Sequence, residues 1–171
     1  MEKALPDYFY ISQDGDIKLY SKKDAPFLIE AANFHIDRRN GRPIDCPFTV
    51  PDLDAFIYNC MDEYFLNGVS DNLLNLLNEN QQSVRYQCLV EKSKNNLFAV
   101  YVAHLTFNPP PIVFAACMFS NIASLGGLEG LKRCQSPKCQ KFFIGRSNVK
   151  WCSKACGSKY RVKKMRSKKG R

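Results

Sequence analysis

The chain has 171 residues, of which 45% are apolar, and a formal net charge of +9. This length suits one ordinary domain, or one domain with a small addition, and the apolar content excludes a chain that is disordered throughout. The first residues lack the basic start and apolar run of a secretory signal, and the longest apolar stretch is too short and too polar to cross a bilayer. We therefore expect a cytoplasmic protein, whose cysteines are free thiols or metal ligands rather than disulfides.

The charge is distributed very unevenly along the chain. Residues 1–130 contain 10 basic and 16 acidic residues, whereas residues 131–171 contain 15 basic residues and no acid. A purely cationic segment repels itself unless a fold, a metal ion or a polyanion organises it. The sequence therefore predicts two parts with different functions, residues 1–130 and residues 131–171.

The sequence pattern of residues 1–130 predicts a small α+β domain of two hairpins and three helices. The opening hairpin turns at Asp14-Gly15, and a long polar, proline-containing surface loop then leads to a helix from Pro51 to Gly68. A short helix follows from a cap at Ser70. The β-like runs 83–91 and 96–107 predict a second hairpin, and a buried helix over residues 112–125 ends at two glycines.

The loop over residues 34–48 carries Arg38, Arg39 and Arg42, which can bind a small anionic ligand on this domain, although a solvated surface loop is the plainer interpretation. The chain has two histidines. His35 is expected on this loop, and His104 in the core or at an interface. Neither lies near the cysteine-rich end, and no acid there can hold Mg²⁺, so we expect no nuclease or other enzyme.

Four cysteines lie singly in the first part of the chain, whereas four others form two close pairs near its end. We expect the single cysteines to be buried thiols rather than a second metal site; they are Cys46, Cys60, Cys88 and Cys117. In the paired set, four residues separate Cys134 from Cys139, twelve separate Cys139 from Cys152, and three separate Cys152 from Cys156.

Two close pairs of cysteines are the usual way for a short chain to supply four tetrahedral ligands to Zn²⁺. Unrelated buried thiols, a redox dithiol and an iron–sulfur cluster are the alternatives. A hairpin over residues 140–151 would bring the pairs together, and a helix capped by Ser153 would carry Cys156 in its first turn. These features predict one zinc ion in a small C-terminal treble-clef finger.

The final helix is strongly basic, with Ala155, Val162 and Met165 expected to face inward. With four thiolates on one Zn²⁺, the segment still carries about +13, which favours a polyanion partner, most simply the phosphates of nucleic acid. The candidate contacts are Arg146, Lys150, Lys154, Lys159, Arg161, Lys163, Lys164, Arg166 and Lys168. Only Arg146, Asn148 and Arg161 are expected to be placed to read bases.

The text "CQSPKCQKFFIGRSNVKWCSKACGSKYRVKKMR" resembles the CGNR zinc-finger family. That family's signature is a Cys pair, an aromatic strand, a basic turn, "WCS" and a closing Cys-Gly-Asn-Arg. Phe142 and Phe143 correspond to the aromatic strand, and Cys156-Gly157 begins the closing motif. Ser158 and Lys159 stand where that motif has Asn and Arg, and the last Cys pair is one residue tighter than is common there.

The resemblance implies an N-terminal ABATE-type domain followed by a DNA-binding finger of a transcription regulator. In this interpretation residues 1–130 sense a ligand or mediate assembly, and a homo-oligomer is left open. A zinc-finger module that binds proteins is an alternative, for which Phe142, Phe143 and Trp151 would supply an exposed surface, unless they form the finger's own core. RNA is a second alternative to DNA, because aromatic residues on a cationic surface suit either polymer.

Overall fold

A computed structural model describes the main chain over residues 9–11, 17–19, 22–43, 51–82, 84–93, 96–104 and 110–169, and the side chains over residues 22–43, 53–82, 84 and 110–167. The strands are β1 (Phe9–Ile11), β2 (Ile17–Leu19), β3 (Arg85–Ser93), β4 (Asn96–His104), β5 (Leu131–Arg133) and β6 (Phe142–Ile144). A 3-10 turn over Lys22–Asp24 precedes the helices α1 (Ala25–Arg39), α2 (Pro51–Asn67), α3 (Asp71–Gln81), α4 (Pro111–Ser124) and α5 (Lys154–Lys169). These elements confirm an α+β protein.

Both predicted N-terminal hairpins are present and share one sheet in the order β2-β1-β4-β3. Strands β1 and β2 are antiparallel, as are β3 and β4, in which Arg85 lies opposite His104 and Ser93 opposite Asn96. Strand β1 runs parallel to β4. The side chains of these strands lie outside the described residues, and so do the side chain of Cys88 and the whole of Cys46.

The three predicted helices of residues 1–130 are confirmed, with the boundaries that their capping residues indicate. Gly68 ends α2 with a φ of 67°, a left-handed conformation that favours glycine. Ser70 caps α3, because its hydroxyl accepts a hydrogen bond of 3.2 Å from the Leu73 N–H. Among the described helices, none is long and apolar enough to span a membrane.

Helix α1 was not predicted, and it replaces residues 34–39 of the loop expected over residues 34–48; residues 40–43 lie beyond the helix, and residues 44–48 are outside the described residues. His35, Arg38 and Arg39 all lie on this helix, so the surface-loop interpretation of His35 was wrong. The His35 Nδ1 atom lies 3.8 Å from the buried Asp54 carboxylate. Burial holds the pKa of His35 below its usual value, and the positive charges of Arg39 and Arg38 add to the effect, while Asp54 opposes it.

Two of the three arginines of the expected anion site already pair with acids of the chain. The Arg38 guanidinium lies 3.3 Å from Asp54, and the Arg42 guanidinium lies 2.7 Å from Asp37. A small anionic ligand here stays a prediction, and it would have to compete with these carboxylates.

Buried side chains of α1, α2, α3 and α4 pack into one hydrophobic core, which also includes Phe142 of β6. Phe142 is 1% exposed, and its ring centroid lies 6.0 Å from that of Tyr58 and 6.2 Å from that of Phe65, both on α2. The division of the chain after residue 130 stays a prediction, but the helices and the hairpin of β5 and β6 share this core.

Two of the single cysteines are buried thiols, as predicted. Cys60 on α2 and Cys117 on α4 belong to the same core. Burial raises the pKa of Cys60 to about 12, which makes it a neutral, unreactive thiol at physiological pH.

Candidate metal centre

The first cysteine pair lies in a tight turn between β5 and β6. The N–H of Cys134 donates to the Lys141 carbonyl at 2.9 Å, and the N–H of Cys139 donates to the Ser136 carbonyl at 2.9 Å. Gln140 closes the turn with a φ of 53°, which is uncommon for a residue other than glycine. We call residues 134–141 the knuckle; it presents Cys134 and Cys139 on one short loop.

The second pair is held at the start of α5. Ser153 caps this helix as predicted, because its hydroxyl accepts a hydrogen bond of 3.2 Å from the N–H of Cys156. Cys156 therefore lies in the first helical turn, and Cys152 immediately precedes the cap. The N–H of Gln135 donates to the Lys150 carbonyl at 3.0 Å, which ties the knuckle to the segment that carries the second pair.

The four sulfur atoms converge on a site with the dimensions of a zinc centre. The sulfur atoms of Cys139 and Cys152 are 3.5 Å apart, and those of Cys152 and Cys156 are 3.7 Å apart. All four ligand atoms lie within 4.8 Å of one another. A tetrahedral ion with metal–sulfur bonds of about 2.3 Å places its ligands about 3.8 Å apart, so the site fits one Zn²⁺.

The protonation of the thiols affects how tightly the metal binds. Burial raises the pKa of Cys139 and of Cys152, whereas the hydrogen bond with the Ser153 side chain lowers the pKa of Cys156. Zinc binds thiolates, so loading the site releases protons and the apparent zinc affinity rises with pH.

The hairpin predicted over residues 140–151 was wrong, because β6 pairs with the strand before the knuckle and not with a strand after β6. Strand β6 pairs with β5, with Leu131 opposite Ile144 and Arg133 opposite Phe142, and the knuckle connects the two strands. Residues 145–150 contain no strand. The prediction failed because the sequence "LKR" before the knuckle carries no strand signal of its own, and its pairing depends on the turn.

The comparisons with known proteins agree with this geometry. The family model described as CGNR zinc finger matches residues 131–169, which include the knuckle, all four cysteines and α5. Residues 131–169 form a CGNR zinc finger. A search of the curated proteins finds no match to the chain.

The glycine of the CGNR finger allows its tryptophan to pack against α5. A Cβ placed on Gly157 would lie 3.3 Å from the Trp151 ring, and that ring also packs against Tyr160 at a centroid distance of 5.7 Å. Ser158 and Lys159, which depart from the naming motif, are exposed. The Ser158 hydroxyl accepts a hydrogen bond of 3.5 Å from Arg161.

The predicted nucleic-acid contacts lie on two parts of the finger surface. Arg146 and Lys150 are exposed beyond β6, and the others lie on α5. On α5 the side chains of Lys154, Lys159, Arg161, Lys163, Lys164 and Arg166 are exposed, and that of Lys168 is outside the described residues.

The inward-facing stripe predicted for α5 was wrong. Ala155, Val162 and Met165 are all exposed, and Met165 is 60% exposed. Gly157 is the one buried residue of α5 within the part whose side chains are described, because the first turn of the helix packs on Trp151 and the later turns extend past it.

Sequence reasoning missed a separation of the finger's cations into two groups. Arg133 lies 2.9 Å from Asp62, and Lys141 lies 2.5 Å from Asp37, so two cations of the β5–β6 hairpin are paired with acids of α1 and α2. Lys132 donates to the carbonyls of Arg146, Ser147 and Val149, the last two at 2.8 and 3.1 Å. The exposed cations of α5 make no ion pair with an acid anywhere in the described residues.

Proposed function

We propose that this protein binds nucleic acid, with duplex DNA as the expected partner, and that it acts as a transcription regulator rather than as an enzyme. One observation carries the proposal: Arg133 and Lys141 of the β5–β6 hairpin pair with Asp62 and Asp37, whereas the cations of α5 and of the turn at Arg146 are exposed and have no such acid partner among the described residues. Such a surface displaces counterions from a phosphate backbone, which gives affinity that falls steeply with salt.

A cavity on this surface suits a backbone phosphate. Its volume is about 220 Å³, and it lies between the knuckle and α5. The lining residues are Pro137, Tyr160, Lys163, Lys164 and Ser167. The ammonium groups of Lys163 and Lys164 and the hydroxyl of Tyr160 can donate several hydrogen bonds to one phosphate, whereas the Ser167 hydroxyl donates to the Lys164 carbonyl at 2.9 Å.

The preceding helices and sheet are proposed as an ABATE-like sensing or assembly domain. Support for a binding role over a hydrolytic one comes from the sequence of the finger, which contains neither histidine nor acid to hold a catalytic Mg²⁺. The contacts of Phe142 with α2 imply that this domain also orients the finger.

A protein partner is the second candidate, and the exposed apolar residues of α5 favour it. Val162 is 42% exposed and Met165 is 60% exposed, so α5 offers apolar as well as charged side chains to a partner. Phe142, in contrast, is buried and is not part of a docking surface. A partner for α5 would need an acidic rim around an apolar centre.

A salt titration of the zinc-loaded chain tests the proposal against its alternatives. Binding to pools of duplex DNA and of RNA is measured by fluorescence anisotropy at salt concentrations from about 50 to about 300 mM. The zinc content is recorded on the same sample. Preference for duplex DNA with a steep salt slope supports a DNA-binding regulator. A preference for RNA would make RNA, rather than duplex DNA, the partner. Absence of binding to either polymer would refute nucleic-acid binding and favour a protein partner.

A further inference from the structure

The finger is attached to α1 by an asparagine that pairs with main-chain atoms of β6. The Asn33 side-chain amide donates to the Phe142 carbonyl at 3.0 Å and accepts from the Phe142 N–H at 2.7 Å. These two bonds satisfy both main-chain groups of a residue that is 1% exposed. Because unpaired buried main-chain groups are costly, Asn33 fixes where β6 can lie.

Asp37, near the end of α1, and Arg42, just beyond that end, hold the knuckle itself. The Arg42 guanidinium donates to the carbonyl of Lys138, the residue before Cys139, and also pairs with Asp37 at 2.7 Å. Asp37 in turn binds Lys141, whose carbonyl accepts from the N–H of Cys134. Cys139 therefore directly follows a residue that Arg42 holds, and Cys134 is hydrogen-bonded to a residue that Asp37 holds.

We propose that Asn33, Asp37 and Arg42, which lie outside the CGNR finger, are positioning residues for its zinc centre. They hold the knuckle in the conformation that brings Cys134 and Cys139 toward the second pair. Zinc affinity then depends on these residues, and by linkage zinc loading stabilises the core formed by α1 and α2. The proposal rests on the metal site and is independent of nucleic-acid binding.

The experiment measures zinc affinity of the full chain by competition with a chromophoric chelator at one pH. Asn33→Ala and Arg42→Gln are compared with two controls, Asn75→Ala on α3 and Arg39→Gln on α1. Asn75 is exposed, and Arg39, 6.0 Å from the Tyr58 ring, has no hydrogen bond or ion pair with the knuckle among the described residues. We expect Asn33→Ala to weaken zinc binding about tenfold, Arg42→Gln to weaken it severalfold, and both controls to stay within about twofold of the original chain.

Thermal unfolding of each protein with and without zinc separates positioning from plain stabilisation. We expect the rise in melting temperature on zinc loading to shrink in both test variants. Equal loss of stability in the two states, with unchanged zinc affinity, would show that these residues support the core alone and would overturn the proposal. If Asn33→Ala does not fold, Arg42→Gln decides, because its side chain is one-third exposed, at 36%.

Discussion

Arg133 belongs by sequence to the cationic segment, but its surroundings are those of a structural residue. Its guanidinium donates to the Tyr58 hydroxyl at 2.8 Å, lies 2.9 Å from the Asp62 carboxylate and stacks 4.9 Å from the centre of the Phe142 ring. One side chain therefore joins β5 to α2 by a hydrogen bond, an ion pair and a cation–π contact. Charge alone does not identify a nucleic-acid contact in this finger.

Replacing Arg133 by Ala should destabilise the protein by about 2 kcal/mol, because Asp62 and Tyr58 lose a shared, partly buried partner. Urea unfolding followed by circular dichroism measures the change. Arg146→Ala is the matched control, since Arg146 is exposed and should change stability by less than about 0.5 kcal/mol. Equal effects of the two substitutions would mean that the contacts of Arg133 add no stability.

Gly157, which directly follows the last cysteine of the finger, leaves room for the Trp151 ring. Replacing it by Val should displace Trp151, because the first added carbon already lies 3.3 Å from the ring and two further methyl groups have no room. Trp151 is the one tryptophan of the chain, so its fluorescence emission reports the change directly. We expect a red shift, and an emission spectrum identical to that of the original chain would contradict the packing.

At the scale of elements, α5 presents most of the proposed nucleic-acid surface. Replacing both Lys163 and Lys164 by Ala should lower the slope of log affinity against log salt by about 2, because two phosphate contacts are lost. The control replaces Lys22 and Lys23 by Ala; both are exposed on the 3-10 turn, so the control removes the same amount of charge at a place away from α5. A matching fall of the slope in this control would show that net charge, rather than α5, determines binding.

Prediction from sequence succeeded where an element carries its own boundary signals. Helix α3 has a Ser cap, α2 has a stop glycine, and α5 has Ser153, so each was predicted close to its observed limits. Helix α1 was missed because its buried face is built largely from Ala25, Ala31 and Ala32, which give a weak apolar period. Pairing of β5 with β6 was missed because it is set by the knuckle between them.

The metal ligands could be predicted because two close pairs of cysteines are typical of a zinc site, and the four sulfur atoms do converge. The acids that pair with the hairpin could not be predicted, because nothing in the sequence relates Asp62 or Asp37 to cations about 70 and about 100 residues later. Long-range ion pairs depend on how the elements pack, which local patterns do not encode.

At the scale of the molecule, the finger and the helices should unfold together. Phe142 joins the two parts, and replacing it by Ala should cost about 3–5 kcal/mol, as expected for a buried phenylalanine. Its strand neighbour Phe143 is only half-buried, so Phe143→Ala should cost much less. Calorimetry of the zinc-loaded chain measures both costs.

The same shared core predicts that Trp151 fluorescence and far-ultraviolet circular dichroism follow one unfolding transition. The first probe reports the finger, and the second is dominated by the helices. Two separate transitions, with the helices unaffected by Phe142→Ala, would show that the finger folds independently.

Lys132 places its ammonium group among three main-chain carbonyls, whereas Lys163 and Lys164 lie open on α5. To react with an acylating reagent, the Lys132 amine must give up these hydrogen bonds, so we expect it to be labelled more slowly than Lys163 and Lys164 in the folded chain, whether or not a polyanion is present. The chain thus contains an internal reference for chemical footprinting: labelling of Lys132 reports loss of the finger's fold, and protection of Lys163 and Lys164 reports occupancy of the surface.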